Sequence, residues 1–288
     1  MTPPSASAPS TPAPASPDAP PALEARGVTL AYDKTAVFEG LDLRITEGQV
    51  TTLIGANGSG KSTLLKAFGR LLSPSTGEMR LEGKPVRSLP TREVARRLAI
   101  LPQKPLTPSA TTVRDLVSRG RHPHQSLLRP WTPDDSRIVD EALAATGLHE
   151  LADREAGSLS GGQLQRAWIA LVLAQQAPII LLDEPTTFLD LTHQLDLLRL
   201  VRSINRERGA TVVMVLHDLT LAGRYSDRLV VVGGGRVIAD GAPSDVLTPE
   251  VLREAFELDA LVIPDPITGS PLIVPVDPDH ALAQSTGA

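Results

Sequence analysis

The stretch Gly55-Ala56-Asn57-Gly58-Ser59-Gly60-Lys61-Ser62-Thr63 constrains this chain more than any other. It follows a β-branched run, Gln49–Ile54, and leads into a helical pattern from about Lys61 to Leu72. The glycines let the backbone curl so that successive N–H groups point inward. The helix behind them adds the partial positive charge of its N-terminus. The spacing G-x-x-x-x-G-K-[ST] between strand and helix therefore describes a cradle for nucleotide phosphates. Lys61 is expected to reach the β- and γ-phosphates, and Ser62 to offer its hydroxyl to Mg²⁺.

A strand–loop–helix unit of this kind needs a sheet with crossover connections, and the remaining pattern supplies one. Leu23–Ala31 and Phe38–Ile45 alternate apolar and polar side chains, as half-buried strands do. Gly77–Leu81 predicts another strand, and Val94–Leu101 a helix end followed by a short strand. Ile179–Leu182 is apolar without alternation, as expected of a central parallel strand. A helix over about Leu191–Arg206, a strand Thr211–Leu216 and a helix Leu219–Tyr225 follow, then strands at Leu229–Val232 and Arg236–Ala239. Thr248-Pro249-Glu250 opens one more helix. Residues 111–176 read mainly as helix, with Thr132-Pro133-Asp134-Asp135 as a capped start. A helical block at about 104–172 looks inserted between early and late strands.

Composition narrows the function classes. A chain of 288 residues, 41% hydrophobic and 21% charged, suits one large domain or at most two small ones. Cysteine is absent, which excludes disulfides, cysteine-type zinc sites, iron–sulfur clusters and thiol nucleophiles. A reducing, cytosolic setting fits that absence. The net charge of −5 argues against a general nucleic-acid binder, since such proteins usually carry basic stripes. No apolar run approaches the roughly 18–20 residues that span a bilayer. Residues 1–21 are rich in Pro, Ala and Ser and are expected to form a disordered tail without the features of a secretory signal. Asp277–Ala288 is expected to fray.

Two further groups carry chemistry. The strand Ile179–Leu182 ends in Asp183-Glu184-Pro185, at the carboxyl end of a buried strand where such sheets bind ligands. Asp183 is the expected partner of Ser62 in holding Mg²⁺, through water, and Glu184 the candidate general base. Leu159-Ser160-Gly161-Gly162-Gln163 precedes a helix that carries Arg166 on its first turns. Ser160 reads as its N-cap, and the helix start is a second anion-binding end.

With that pentapeptide between the phosphate loop and the carboxylate pair, the sequence resembles the ATP-binding subunit of an ABC transporter over about residues 23–264. The resemblance implies a P-loop NTPase cassette with a RecA-like core, an antiparallel β subdomain and an inserted α-helical subdomain. It implies a domain over 22–264 and a C-terminal extension over 265–288. It implies ATP and Mg²⁺ as ligands and a homodimer paired head to tail, in which Ser160, Gly161, Gly162 and Gln163 of one copy complete the phosphate site of the other. Tyr32 then stacks on adenine, Gln103 senses Mg²⁺ and water, Asp190 lies in a loop crossing the dimer interface, and His217 contacts the γ-phosphate. Thr186-Thr187-Phe188-Leu189-Asp190-Leu191 with His193-Gln194, Gly120-Arg121-His122-Pro123-His124, and the stretch Val262–Val276 resemble the branch that imports ferric siderophores, haem and cobalamin. That branch implies a separate membrane permease, an indirect substrate-binding protein and a peripheral place on the cytoplasmic face of the membrane. A ferric siderophore is the expected cargo, with haem, cobalamin or another metal chelate as the alternative. A soluble ABC ATPase working on nucleic acid fits less well, because the chain has one cassette, no heptad run and no cysteine. A binding module that never hydrolyses is opposed by Lys61, Asp183, Glu184 and His217. His122 and His124, with a proline between them and no third ligand nearby, read as surface residues rather than a metal site.

Overall fold

Alternating side chains along the buried strands decide the layering. A computed structural model of the chain describes residues 21–32, 35–105, 110–126, 129–187 and 189–276. The expected tail and the Asp277–Ala288 end lie outside the described residues, apart from Pro21. The strands are β1 (Leu23–Tyr32), β2 (Thr35–Ile45), β3 (Val50–Ile54), β4 (Thr76–Leu81), β5 (Lys84–Pro85), β6 (Leu98–Leu101), β7 (Ile179–Leu182), β8 (Thr211–Val215), β9 (Arg228–Gly233), β10 (Arg236–Gly241), β11 (Ala260–Pro264) and β12 (Pro271–Pro275). The helices are α1 (Lys61–Phe68), α2 (Thr91–Arg97), α3 (Val113–Ser118), α4 (Pro133–Ala145), α5 (Gly161–Ala174), α6 (Leu191–Arg208), α7 (Leu219–Tyr225), α8 (Pro243–Val246) and α9 (Pro249–Phe256).

The central sheet has the order β10-β9-β3-β8-β7-β6 and is parallel except for β10. Leu53, Leu181, Val213, Val215, Val230 and Val232 enter one core, shared with α1 and an antiparallel sheet of order β2-β1-β4-β5. Their neighbours Ile54, Ile180, Leu182, Val212, Met214 and Val231 enter the other, shared with α3, α4, α5 and α6. Strands buried on both faces read as unbroken apolar runs, which is why β7 shows no alternation. The antiparallel sheet and the helical block are thus anchored to opposite faces of one sheet.

Local chemistry sets the boundaries. Helix α1 ends at Phe68, short of the expected Leu72, because Gly69 caps it and donates its N–H to the Leu65 carbonyl. A Cβ at Gly69 would lie 2.6 Å from Ile100 Cδ1, so a larger residue there would push that side chain of β6 aside. In α4 the expected cap is present: Thr132 Oγ1 accepts from the Asp135 N–H, and Asp135 Oδ2 accepts from the Thr132 N–H at 3.0 Å. The segment Arg119–His124, inside the block read as mainly helix, is a 3₁₀ turn holding Pro123. There the Arg121 Nε donates to Asp135 Oδ1 at 2.8 Å and its NH1 to the Ala174 carbonyl at 2.9 Å, with both charged side chains buried. One guanidinium therefore ties the start of α4 to the end of α5.

Residues 260–276 form a hairpin that the pattern did not predict. Its prolines speak against strands, yet Pro264 and Pro271 face each other at the last rung, where the missing N–H groups cost least. Asp265 Oδ1 closes the turn by accepting from the Ile267 and Thr268 N–H groups. Val262 and Ile273 pack on the core. The expected edge at 264 falls at the tip of this hairpin. Among the described residues, no helix is long and apolar enough to cross a membrane.

Candidate nucleotide-binding site

The loop between β3 and α1 is held open by two glycines with left-handed backbones. Gly55 has φ +152°, and a Cβ there would collide with the Val232 carbonyl oxygen. Gly60 has φ +100°, and a Cβ there would lie 2.5 Å from the Phe38 ring and 2.7 Å from Val37 Cγ1. The antiparallel sheet therefore walls the loop through β2. Ala56, Asn57 and Gly58 form its exposed crest, and Thr63 is buried in the first turn of α1. Lys61 Nζ donates to the Gly55 and Ala56 carbonyls, both at 2.9 Å, which places the ammonium over the loop. Burial pulls the Lys61 pKa down, and the Glu184 and Asp183 charges offset that only in part. Ser59 Oγ is buried without a hydrogen-bond partner, against Gly55 inside the loop.

Across the sheet, the end of β7 delivers the carboxylates. Ser62 Oγ donates to Asp183 Oδ1 at 2.7 Å, joining two residues that the spacing had paired. Asp183 Oδ2 is buried and has no partner. Burial pushes the Asp183 carboxyl up, the Ser62 bond pulls it back in part, and the Glu184 charge adds to the rise. A hydroxyl beside an orphaned carboxylate oxygen is an oxygen donor set that suits a hard divalent cation retaining most of its waters. Among the described residues, no group of three or more His, Cys, Asp or Glu gathers as a protein-only metal cage, here or elsewhere.

Glu184 stands one residue further, on a backbone with φ +51°. Its Oε1 lies 2.9 Å from His217 Nε2 at the end of β8, and Gln103, just past β6, donates to the same carboxylate. Three neighbouring strand ends thus bring Glu184, Gln103 and His217 together. Burial raises the Glu184 pKa, but the bonds from Gln103 and His217 outweigh it and hold the carboxyl below its ordinary range.

The remaining expected residues lie apart from this cluster. Tyr32 ends β1, half-exposed, on the ladder whose Phe38 touches Gly60. Ser160 caps α5, accepting from the Gln163 N–H at 3.3 Å while Gln163 Oε1 accepts from the Ser160 N–H at 3.1 Å. Ser160, Gly161, Gly162 and Gln163 line a groove of about 540 Å³ with Arg166, Leu189, Asp190 and His193. Within one chain, this groove and the phosphate loop are separate places. The helix that begins at the groove is tied to the carboxylate end of β7 through Gln165, whose buried Nε2 donates to the Pro185 carbonyl at 3.2 Å. His124 Nε2 bonds to the Gln175 carbonyl at 2.8 Å.

Sequence reasoning missed the wall that Val37 and Phe38 form, the Arg121–Asp135 tie and the Gln165 link. The glycine at 60 was the signal for the wall, since close approach needs a residue of its own to approach. The other two depend on contacts between elements and left no local pattern.

A family model described as ABC transporter matches residues 38–187. The petrobactin import ATP-binding protein FpuD of Bacillus anthracis is 46% identical over 88% of this chain and 93% of its own length. The ferric enterobactin transport ATP-binding protein FepC of Escherichia coli is 46% identical over 88% of this chain and 94% of its own. The dimeric structure of MJ0796, a bacterial ABC transporter cassette, superposes with a TM-score of 0.70 at 28% identity, covering 76% of this chain and 98% of that one. A glycine cradle with its lysine, a serine–aspartate pair, a glutamate held by glutamine and histidine, and relatives alike over nearly their whole length lead to one conclusion: the chain belongs to the ABC transporter family, as an ATPase cassette.

Proposed function

We propose that this chain hydrolyses ATP to energise import of an iron(III)-siderophore through a separate membrane permease. The observation that carries the reading is the convergence of Lys61, the Ser62–Asp183 pair and the Glu184–His217–Gln103 cluster on adjacent strand ends. In this reading Tyr32 stacks on adenine, and the N–H groups of residues 55–63 with Lys61 bind the phosphates. Ser62, Asp183 and Gln103 would hold Mg²⁺, which supplies neutralisation of phosphate charge. Glu184, ionised and aimed by His217, orients and deprotonates the attacking water. Two copies pair head to tail, so that Ser160–Gln163 and Asp190 of one complete the site of the other. The homodimer sits on the cytoplasmic face of the membrane against the permease, with a substrate-binding protein acting through that permease. The cargo assignment is supported by the siderophore importers among the relatives.

The test is ATPase activity of the chain with its permease in lipid, with and without binding protein loaded with a ferric siderophore. Stimulation is expected. Glu184→Gln should keep ATP binding and lose about 10²–10⁴-fold in turnover. Hydrolysis that responds only to haem or cobalamin would overturn the cargo, and no hydrolysis in any condition would overturn the enzyme.

A further inference from the structure

His193 and Gln194 open α6 and fold back on the loop before it. Asp190 Oδ1 accepts the His193 backbone N–H at 2.9 Å and lies 2.8 Å from His193 Nδ1. An ionised carboxylate only accepts, so the ring donates from Nδ1. Gln194 Nε2 donates to the Leu189 carbonyl at 2.9 Å. Consecutive residues thus grip the side chain of one loop residue and the backbone of the other. Asp218 caps α7 through the Leu221 N–H, and Thr132 and Ser160 cap α4 and α5 with a side chain returning from the third helical residue to the cap backbone. What sets α6 apart from those starts is the second residue: Gln194 reaches back past the cap to the Leu189 carbonyl, so the loop before the helix is held as well as the cap. Asp190 and His193 also stand on the lip of the groove that Ser160–Gln163 opens. The two His193 bonds, backbone first, hold the Asp190 carboxyl below its ordinary range and keep it charged.

We propose that His193 and Gln194 are positioning residues that preset the Leu189–Asp190 loop for docking of a second copy of this chain. The proposal rests on the head-to-tail pairing stated above. An interfacial loop that is already ordered loses less conformational freedom on association, so the clamp favours assembly without touching nucleotide. His193 acts through Asp190, and its removal leaves the phosphate loop of the same chain intact.

The experiment uses the full chain in a Glu184→Gln background, with ATP and Mg²⁺, and reads dimer formation by light scattering over a protein dilution series. Adding His193→Ala should raise the protein concentration needed for the dimer by about tenfold, the size expected for losing a charge-assisted hydrogen bond. Adding Gln194→Ala should act in the same direction. His193→Asn, whose amide donates near the position of Nδ1, should restore assembly. A fluorescent ATP analogue, titrated into dilute monomer, should bind all variants alike. Unchanged assembly in His193→Ala overturns the proposal, as does weakened nucleotide binding by the monomer or failure of His193→Asn to restore the dimer. If Glu184→Gln alone stays monomeric with ATP, the head-to-tail reading fails and takes this proposal with it.

Discussion

Asp183 is a residue on which folding and chemistry pull in opposite directions. Its raised pKa means that the folded chain favours the protonated carboxyl. The ionised form therefore costs stability, and that cost appears as pH rises through the folded pKa. Asp183→Asn keeps an acceptor for Ser62 and removes the charge. We expect it to melt about 2–4 °C higher near neutral pH, as a change of ~1 kcal/mol gives in a chain of this size. Calorimetry of the nucleotide-free protein checks this, and the variant should lose Mg²⁺-dependent turnover, as EDTA should abolish it in the parent. Glu184 has the opposite shift, so at saturating Mg²⁺, where the cation would hold Asp183 ionised, the acid limb of turnover should lie below the usual glutamate value of about 4.3. A profile at saturating Mg²⁺ that falls only below that value supports Glu184 as base; one centred near neutrality would not. Gly60→Ala should reduce nucleotide affinity at least about tenfold, because it meets the Phe38 ring and needs φ +100° at once. Titration with a fluorescent nucleotide measures it. At this scale the sequence was most legible, because phosphate and metal chemistry demand particular residue types at short spacing. What it lacked were conformations: nothing in Asp183-Glu184-Pro185 announces a left-handed glutamate.

The helical block is locked at the level of elements by the Arg121–Asp135 pair. Removing one member leaves the other charge buried, which costs about 3–5 kcal/mol. Asp135→Ala should therefore lower the melting temperature sharply, and Arg121→Met with Asp135→Leu should recover much of the loss. A double variant no better than Asp135→Ala would show that the pair does more than satisfy itself. Burial raises the Asp135 pKa, but the bonds from Arg121 and Thr132 outweigh it and leave the carboxyl depressed. Its contribution is then present above the ordinary aspartate value of about 3.9 and lost as pH falls through the folded pKa. Gly120 belongs to the same joint, since a Cβ there would collide with the Leu171 carbonyl of α5. Legibility followed distance along the chain. The Thr132 cap lies within one turn and was readable, whereas the Arg121 partner is set by how a proline-bearing 3₁₀ turn packs. The hairpin over Ala260–Pro275 was hidden for a different reason: prolines at its rungs argue against a strand unless the strand is an edge.

At the scale of the whole molecule, the pattern of strand and helix was enough for an α/β sheet with an inserted helical block. It was not enough for the strand order. Central strands such as β7 and β8 are apolar on both faces, so their residues do not say which neighbour they pair with. The placing of β3 between β8 and β9 comes from packing. That order sets the Glu184, Gln103 and His217 strand ends close together, while the Ser160–Gln163 groove opens elsewhere. One contact already described then acquires a meaning of its own. Gln165 sits in the helix that begins at the groove, yet it grips the carbonyl next to the glutamate of its own strand end. If two copies pair head to tail as proposed, each chain would act as a rocker with one arm at either nucleotide. A shift of the strand end on one side would then be passed, through the Gln165 amide, to the tip facing the other side. Such a pair would respond to its two nucleotides as one event. Its rate would rise sigmoidally with ATP, and Gln165→Leu would flatten that curve to a hyperbola while leaving each arm in place.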